Sequence, residues 1–368
     1  MIFLDHDVAG LAVRLGAIKE NFRICGQLAG PAAVAGVVKA DAYGLGMPGV
    51  ARALLDARCD TFFVARLAEG IALRPLAPEA RIFVLDGART ETASQLVTWR
   101  LTPVLNSLAQ IENWSAAARE RHTALEAAIH VDTGMNRLGL PSAGVATLSA
   151  EAATRLKAVD VKLIMSHLAC AEDTASPMNG AQLERFRTAL AALPPAPASF
   201  SSSGGIMLGR EFAFDMVRPG IALYGGNPQP ENLNPFKVVA VLSGRILQLR
   251  RVDKGESVGY AATWRAGRPS TLATVALGYA DGLMRAIGNR GMGAIAGVRV
   301  PVVGRVSMDL ITLDVTDAPQ SALVPGAEVE FIGDTISLEE FAAAGQTASY
   351  EVLTSLGARV PRRYIEAP

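Results

Sequence analysis

An alternation repeated eight times constrains this chain more than any other feature. From about residue 30 to residue 226, short apolar and β-branched runs take turns with longer stretches of Ala, Leu, Arg and Glu at helical spacing. The runs at 33–38, 61–65, 81–85, 102–105, 125–131, 161–166, 198–201 and 216–223 predict strands. Helices are predicted at 49–57, 92–100, 108–121, 145–156 and 181–193. Near-continuous apolar strands belong to parallel sheets covered by helices, and eight βα units close into a (β/α)8 barrel of the TIM type. An open doubly wound sheet is the competing α/β arrangement; the strand count favours the barrel.

A Pro- and Asn-rich break at 227–235 ends the alternation. Beyond it, apolar runs at 238–249, 271–277, 293–298, 300–303, 310–315 and 328–332 lie between Gly, Pro and Asp turns with little helix between them. The reading is an α/β chain with the barrel over residues 1–235 and a mostly-β domain over residues 236–368. A strand at 9–15, followed by a helix through 19–28, fits either domain. Lys+Arg and Asp+Glu number 35 each, so no net field draws a polyanion, and no basic stripe is interleaved with aromatics. Nucleic acid is therefore not an expected partner. Cys25, Cys59 and Cys170 lack the spacing of a disulfide framework or a zinc site, so no metal is expected. The segment from Met1 to Asp7 has neither a basic stretch nor a long apolar run, and a cytoplasmic protein without membrane association is expected.

Chemistry in a (β/α)8 barrel sits at the carboxyl ends of the strands, and the polar residues collect there. Lys39 follows the first apolar run, Asp132 to Arg137 follow the fifth, His167 ends the sixth, Ser201 to Gly205 end the seventh, and Arg218-Pro219-Gly220-Ile221 lie in the eighth. A lysine with a desolvated stem at that place serves as an ion-pair partner, a general base or a Schiff-base former. Ser203-Gly204-Gly205 and Gly220-Ile221 put bare backbone and a hydroxyl in the two loops where barrels hold phosphate. A Schiff-base lysine together with a phosphate site points to pyridoxal phosphate, with Arg218 as the candidate partner of the ring nitrogen.

The segment Val37-Val38-Lys39-Ala40-Asp41-Ala42-Tyr43-Gly44-Leu45-Gly46 resembles the cofactor-lysine signature of alanine racemases. The resemblance continues through residues 132–139, Ser166-His167, residues 217–225, 278–282 and 304–309, and Tyr350-Glu351. It implies a barrel with a C-terminal β domain and the interconversion of L- and D-alanine with pyridoxal 5'-phosphate. Lys39 would carry the cofactor and act as one base, and Tyr279 as the other. The resemblance makes Tyr43, Ser203, Gly220, Ile221 and Tyr350 the phosphate contacts, and Arg218 the partner of the ring nitrogen. Arg137 would meet the phenolic oxygen and, with the Met308 backbone N–H, the substrate carboxylate; His167 would support Arg218 and Tyr279. It also implies a head-to-tail homodimer in which Tyr279, Met308 and Asp309 enter the neighbour's site. D-alanine chemistry of this kind serves either peptidoglycan precursors or catabolism.

One departure stands out. Many members carry a carbamylated lysine two residues before the aspartate of Asp132-Thr133-Gly134; here that position is His130, which forms no carbamate. In a strand His130 shares a face with Asp132, which directs it toward Arg137. Racemisation takes a proton from one face of the α-carbon and returns one to the other, so two bases are the direct solution. A tyrosine acts as a base near neutral pH only beside cations, for which His167 with Arg218 is the candidate pair. A racemase of serine or of several amino acids is the nearest alternative. A decarboxylase of the same architecture would keep an acidic partner for the ring nitrogen and a cysteine in the C-terminal domain, and a cofactor-carrier protein would lack that domain.

Overall fold

The computed structural model describes residues 7–366. Gly36–Val37 opens a parallel sheet that continues in sequence through Thr61–Val64, Arg81–Val84, Thr102–Leu105, Leu125–His130, Val159–Met165 and Ala198–Ser199. The circle closes where Met216–Val217 pairs in parallel with Ala33–Val34. Across the remaining seam the Arg218 N–H donates to Ser201 O at 2.9 Å. These strands carry apolar side chains on both faces because one face packs inside the barrel and the other lies under helices. Phe62, Phe63 and Phe83 are fully buried, and the rings of Phe63 and Phe83 stack with centroids 4.6 Å apart.

The differences from the sequence reading have local causes. The first strand, expected over 33–38, divides at Ala35 because its two halves pair with different neighbours. The eighth, expected over 216–223, ends at Val217. Pro219 has no N–H for a ladder, and the chain turns at Gly220 into a short 3-10 helix, Ile221–Tyr224. The seventh, expected over 198–201, stops at Ser199, which leaves Ser201 to Ser203 as a loop at the mouth. The helix expected over 145–156 breaks at Glu151 into Ser142–Ala150 and Ala152–Arg155. The helix expected over 181–193 starts earlier, at Pro177, where proline's fixed φ suits a first helical position. Leu67–Leu73 was not foreseen as a helix; Glu69 caps it by accepting the N–H groups of Ala65 and Arg66.

The opening strand, Ala9–Arg14, pairs antiparallel with Ala240–Val252 and parallel with Arg362–Ile365, so it lies in the β domain's sheet. Ala240–Val252 is that sheet's spine, bonded also to Ser270–Val275 and Glu328–Ile332. Two helices absent from the sequence reading, Leu338–Ala344 and Ser349–Ser355, follow it. The second reaches the barrel mouth: a Cβ at Gly44 would stand 2.4 Å from Leu353 O. The β domain thus contacts the turn that follows Lys39.

Candidate active site

Lys39 sits at the end of the first barrel strand, and the backbone beyond it is unusual. Ala40, Asp41, Ala42 and Tyr43 have φ of 52, 53, 53 and 57°, four successive left-handed residues without a glycine among them. Each costs on the order of 1–2 kcal/mol against its right-handed counterpart, so neighbours must hold the turn. Ala40 N–H donates to Glu69 Oε1 at 2.7 Å, Met47 N–H to Asp41 Oδ1 at 2.7 Å, and Gly44 N–H to Ala40 O at 2.8 Å. The Lys39 amine lines a cavity of about 470 Å3 at the barrel mouth. Its pKa falls below the usual lysine value because it loses hydration there and because the Arg137 and Arg218 charges face it.

Opposite Lys39 the cavity narrows to a cradle. A Cβ at Gly220 would stand 2.2 Å from Tyr43 Oη, so only glycine lets the backbone lie beside that phenol. Ser203 Oγ accepts the N–H groups of Gly220 at 3.0 Å and Ala222 at 3.2 Å, which leaves its own O–H to donate into the cavity. Burial pushes the Tyr43 phenol well above its usual range, so it stays a donor. The Tyr350 ring lies 6.1 Å from that of Tyr43, and Ile221 lines the same cavity. Hydroxyl donors beside bare backbone, in one cavity with a lysine of lowered pKa, fit the phosphate and aldehyde ends of pyridoxal phosphate.

Arg218 is buried. Its guanidinium donates to Ser199 Oγ and to Ser166 O, and its Cζ lies 5.8 Å from the centre of the Phe63 ring. Burial lowers its pKa to about 9, which still leaves it cationic at neutral pH. His167 is held at about 3 by burial and by the charges of Arg218, Arg137 and Lys39. The His167–Arg218 pair expected from sequence therefore keeps its charge on Arg218 alone, and the described hydrogen bonds anchor Arg218 through Ser199 and Ser166. Arg137 rides on a loop folded around Asp132, whose Oδ1 accepts the N–H groups of Gly134, Met135 and Asn136 at 2.9, 3.0 and 3.2 Å.

His130 also lines the cavity, with Nδ1 2.7 Å from Asn106 Oδ1. Asn106 Nδ2 donates to Leu85 O and Val104 O, both at 2.9 Å, so its Oδ1 is the acceptor and His130 Nδ1 carries the proton. Burial and the Arg218 charge lower the imidazole pKa to about 4. The ring is neutral, and its Nε2 presents a lone pair. A neutral acceptor thus occupies the position where the resemblance would set an anion, which leaves the Arg137 charge uncancelled by that residue.

A profile of the alanine racemase N-terminal domain matches residues 13–228, and one of the C-terminal domain matches residues 239–364. The chain belongs to the alanine racemase family. It is 48% identical to the alanine racemase of Rhodospirillum rubrum over 98% of this chain and 96% of that protein. To a catabolic alanine racemase of Agrobacterium fabrum it is 45% identical, over 97% and 92%. The Bartonella henselae alanine racemase, solved with covalently bound pyridoxal phosphate, superposes with a TM-score of 0.93 at 39% identity, covering 98% of this chain and 100% of that one. The biosynthetic enzyme of Pseudomonas aeruginosa superposes at 0.91 with 35% identity, covering 97% and 99%. The protein is a pyridoxal-phosphate-dependent racemase that interconverts L- and D-alanine. Decarboxylase and carrier readings are thereby set aside.

In this alanine racemase chain the cavity gathers Lys39, Tyr43, His130, Arg137, His167, Ser203, Arg218, Gly220, Ile221 and Tyr350. It does not gather Tyr279 or Met308, which lie on the β domain, 43% and 54% exposed. Sequence reasoning missed Glu69, Ser199 and Asn106. Their signal was position: Glu69 follows the second strand by a few residues, Ser199 ends the seventh, and Asn106 directly follows the fourth.

Two outcomes follow from this geometry. Gly220→Ala should weaken pyridoxal phosphate binding on the order of 10- to 100-fold, about 1.4–2.7 kcal/mol, because Tyr43 is packed and has nowhere to retreat. Fluorescence titration of the apoprotein measures it; unchanged affinity would remove Gly220 from the cradle. The second concerns pH. The folded-state pKa values of His130 (about 4) and His167 (about 3) lie below the ordinary 6.5, so the unfolded chain binds more protons as pH falls. Their contribution is intact above pH 6.5 and is lost as pH falls from 6.5 to about 4 for His130 and to about 3 for His167, at up to about 1.4 kcal/mol per pH unit for each imidazole. Urea unfolding at pH 7, 6 and 5 should therefore show a shallower pH slope for His167→Gln than for the wild type. Equal slopes would mean that the folded site holds His167 charged.

Proposed function

We propose that Lys39 and Tyr279 are the two bases of the alanine racemase reaction and that a second copy of the chain completes each site. One observation carries this reading: Tyr279 and Met308 sit together on an exposed edge, outside their own chain's cavity. Tyr279 N–H donates to Ser307 O at 3.0 Å and Ala280 N–H to Met308 O at 2.9 Å, so the two turns move as one. Leu310, 37% exposed, extends the apolar edge. An edge of this kind suits docking against a neighbour's barrel mouth, and a two-fold dimer then holds two equivalent composite sites.

Pyridoxal phosphate, when bound, draws electrons from the substrate's α-carbon and so acidifies the proton there. Lys39, whose pKa is lowered toward the neutral amine, takes or returns that proton on one face. The partner's Tyr279 serves the other face through its phenolic oxygen. Arg137 and the backbone N–H of the partner's Met308 hold the substrate carboxylate. Tyr43, Ser203, Gly220, Ile221 and Tyr350 hold the phosphate, and His130 with Asn106 supports Arg137. Arg218, buried and cationic, has only N–H groups to offer, so it would face the ring nitrogen as a donor where an acidic partner would accept. We take the reaction to be cytoplasmic, with D-alanine passing to peptidoglycan precursors; the charge balance of 35 cationic and 35 anionic residues gives no attraction to membrane or nucleic acid.

The reading is tested by subunit mixing. Lys39→Ala should abolish the visible absorption of the lysine-bound cofactor and nearly all turnover, and Tyr279→Ala should abolish turnover alone. Refolded together, mixed dimers gather both defects in one site and leave the other intact, so activity should return toward about a quarter of the wild-type value. A mixture that stays inactive although mixed dimers form would place both residues in one chain's site.

A further inference from the structure

The short C-terminal segment 357–364 touches both of the turns that carry the proposed bases. Arg362 Nε and Nη2 donate to Gly44 O at 3.2 and 3.0 Å, and the same guanidinium donates to Leu356 O at 2.8 Å, Val360 O at 2.7 Å and Gly357 O. Every acceptor in this set is a backbone carbonyl. Tyr364 Oη donates to Leu45 O at 3.1 Å. A Cβ at Gly46 would stand 1.9 Å from that oxygen and one at Gly49 2.6 Å from the ring, so the phenol lies directly on the loop beyond the left-handed turn. A few residues earlier, Arg359 faces the other way. Its Nε donates to Asp281 Oδ1 at 2.5 Å, and its Nη2 to Asp281 Oδ2 at 3.1 Å and Asp309 Oδ1 at 2.6 Å. Asp281 in turn accepts the Gly278 N–H at 2.8 Å through Oδ2 and the Gly357 N–H at 2.8 Å through its carbonyl. One arginine therefore ties the turn of Tyr279 to the turn of Met308.

We propose that this segment positions both bases: Arg362 and Tyr364 hold the lysine turn in its left-handed form, while Arg359 holds the tyrosine and methionine turns. The physical need is plain on the lysine side. Four left-handed residues resist the conformation they adopt, and the carbonyls of Gly44 and Leu45, at the far end of the turn, take their donors among the described residues from the C-terminal strand. That strand is itself held by parallel pairing with Ala9–Arg14. Arg362 acts as a clamp because its planar fork spans several carbonyls at once, which a lysine's single ammonium does not. The role of Arg359 rests on the reading of Tyr279 as the second base. In a dimer with composite sites, the two turns tied together by one segment belong to different sites, so the segment also links the two sites mechanically.

The two halves of the proposal separate experimentally. Arg362→Met and the milder Tyr364→Phe should slow the capture of pyridoxal 5'-phosphate by the apoprotein, followed through the visible band of the lysine-bound cofactor. The expected loss is at least about tenfold for Arg362→Met and about threefold for Tyr364→Phe, with Arg362→Lys recovering little. Arg359→Met should capture the cofactor at the wild-type rate and with wild-type affinity, yet lower kcat about tenfold or more. A purely structural role would not divide in this way. Wild-type capture by both Arg362→Met and Tyr364→Phe, or slowed capture by Arg359→Met, would overturn the proposal. If Arg362→Met fails to fold, Tyr364→Phe and Arg359→Met decide alone. The mixture of Lys39→Ala and Tyr279→Ala subunits judges the two-base reading separately, since it uses neither arginine.

Discussion

The site depends on two guanidinium groups set around one amine, Arg218 buried and Arg137 exposed at the cavity's lining. Arg218 is fixed by Ser199 and Ser166 under the barrel mouth and Arg137 by the Asp132 loop above it, and their charges reach Lys39, His130 and His167 alike. Guanidinium groups that stay cationic at neutral pH disfavour a second positive charge on the bases beside them. Burial first, and these charges second, keep both imidazoles neutral and bias the lysine amine toward its nucleophilic form. Removing hydration strengthens the effect, because charges interact more strongly where water is excluded. The barrel's closure at Met216–Val217 is what buries Arg218, so the fold and the electrostatics are one arrangement.

Backbone geometry does the rest. The left-handed turn after Lys39 is supported from both domains: Glu69 holds its first N–H from the barrel side, and Arg362 and Tyr364 hold its last carbonyls from the β domain. Strain of this kind persists at functional sites only where the surroundings over-determine it. The pairing of Ala9–Arg14 with Arg362–Ile365 brings the two ends of the described chain into one sheet beside that turn. A domain that looks remote from Lys39 in sequence thus bonds directly to the turn that follows it.

Much of this was legible beforehand, for a physical reason: barrel strands alternate with helices at a fixed period, and chemistry gathers at one end of them. Lys39, Arg137, His167, Ser203 and Arg218 were found by that rule and do line one cavity. The rule failed where backbone departs from its residue-type preferences. Nothing in Ala40-Asp41-Ala42-Tyr43 signals positive φ, which sequence normally marks with glycine or asparagine. The end of the eighth strand at Val217 was signalled by Pro219, but the apolar run to Leu223 outweighed it. Arg362 and Tyr364 sit in a strand of four residues too short and too charged to register as one. His130 was noticed only because it departs from a pattern, and its neutral, Nδ1-protonated state needed the carbonyl partners of Asn106 to be known.

The central claim is that the cavity lowers the Lys39 pKa below that of an ordinary lysine, and the pH dependence of cofactor capture tests it most directly. The rate at which the apoprotein forms its bond with pyridoxal 5'-phosphate follows the fraction of deprotonated lysine. That rate should rise with pH to a plateau whose midpoint lies below 10.5, the ordinary lysine value. The Arg137→Gln variant should move the midpoint upward, since one of the opposing charges is gone. A midpoint at or above 10.5 in the wild-type protein, unmoved by Arg137→Gln, would contradict the account.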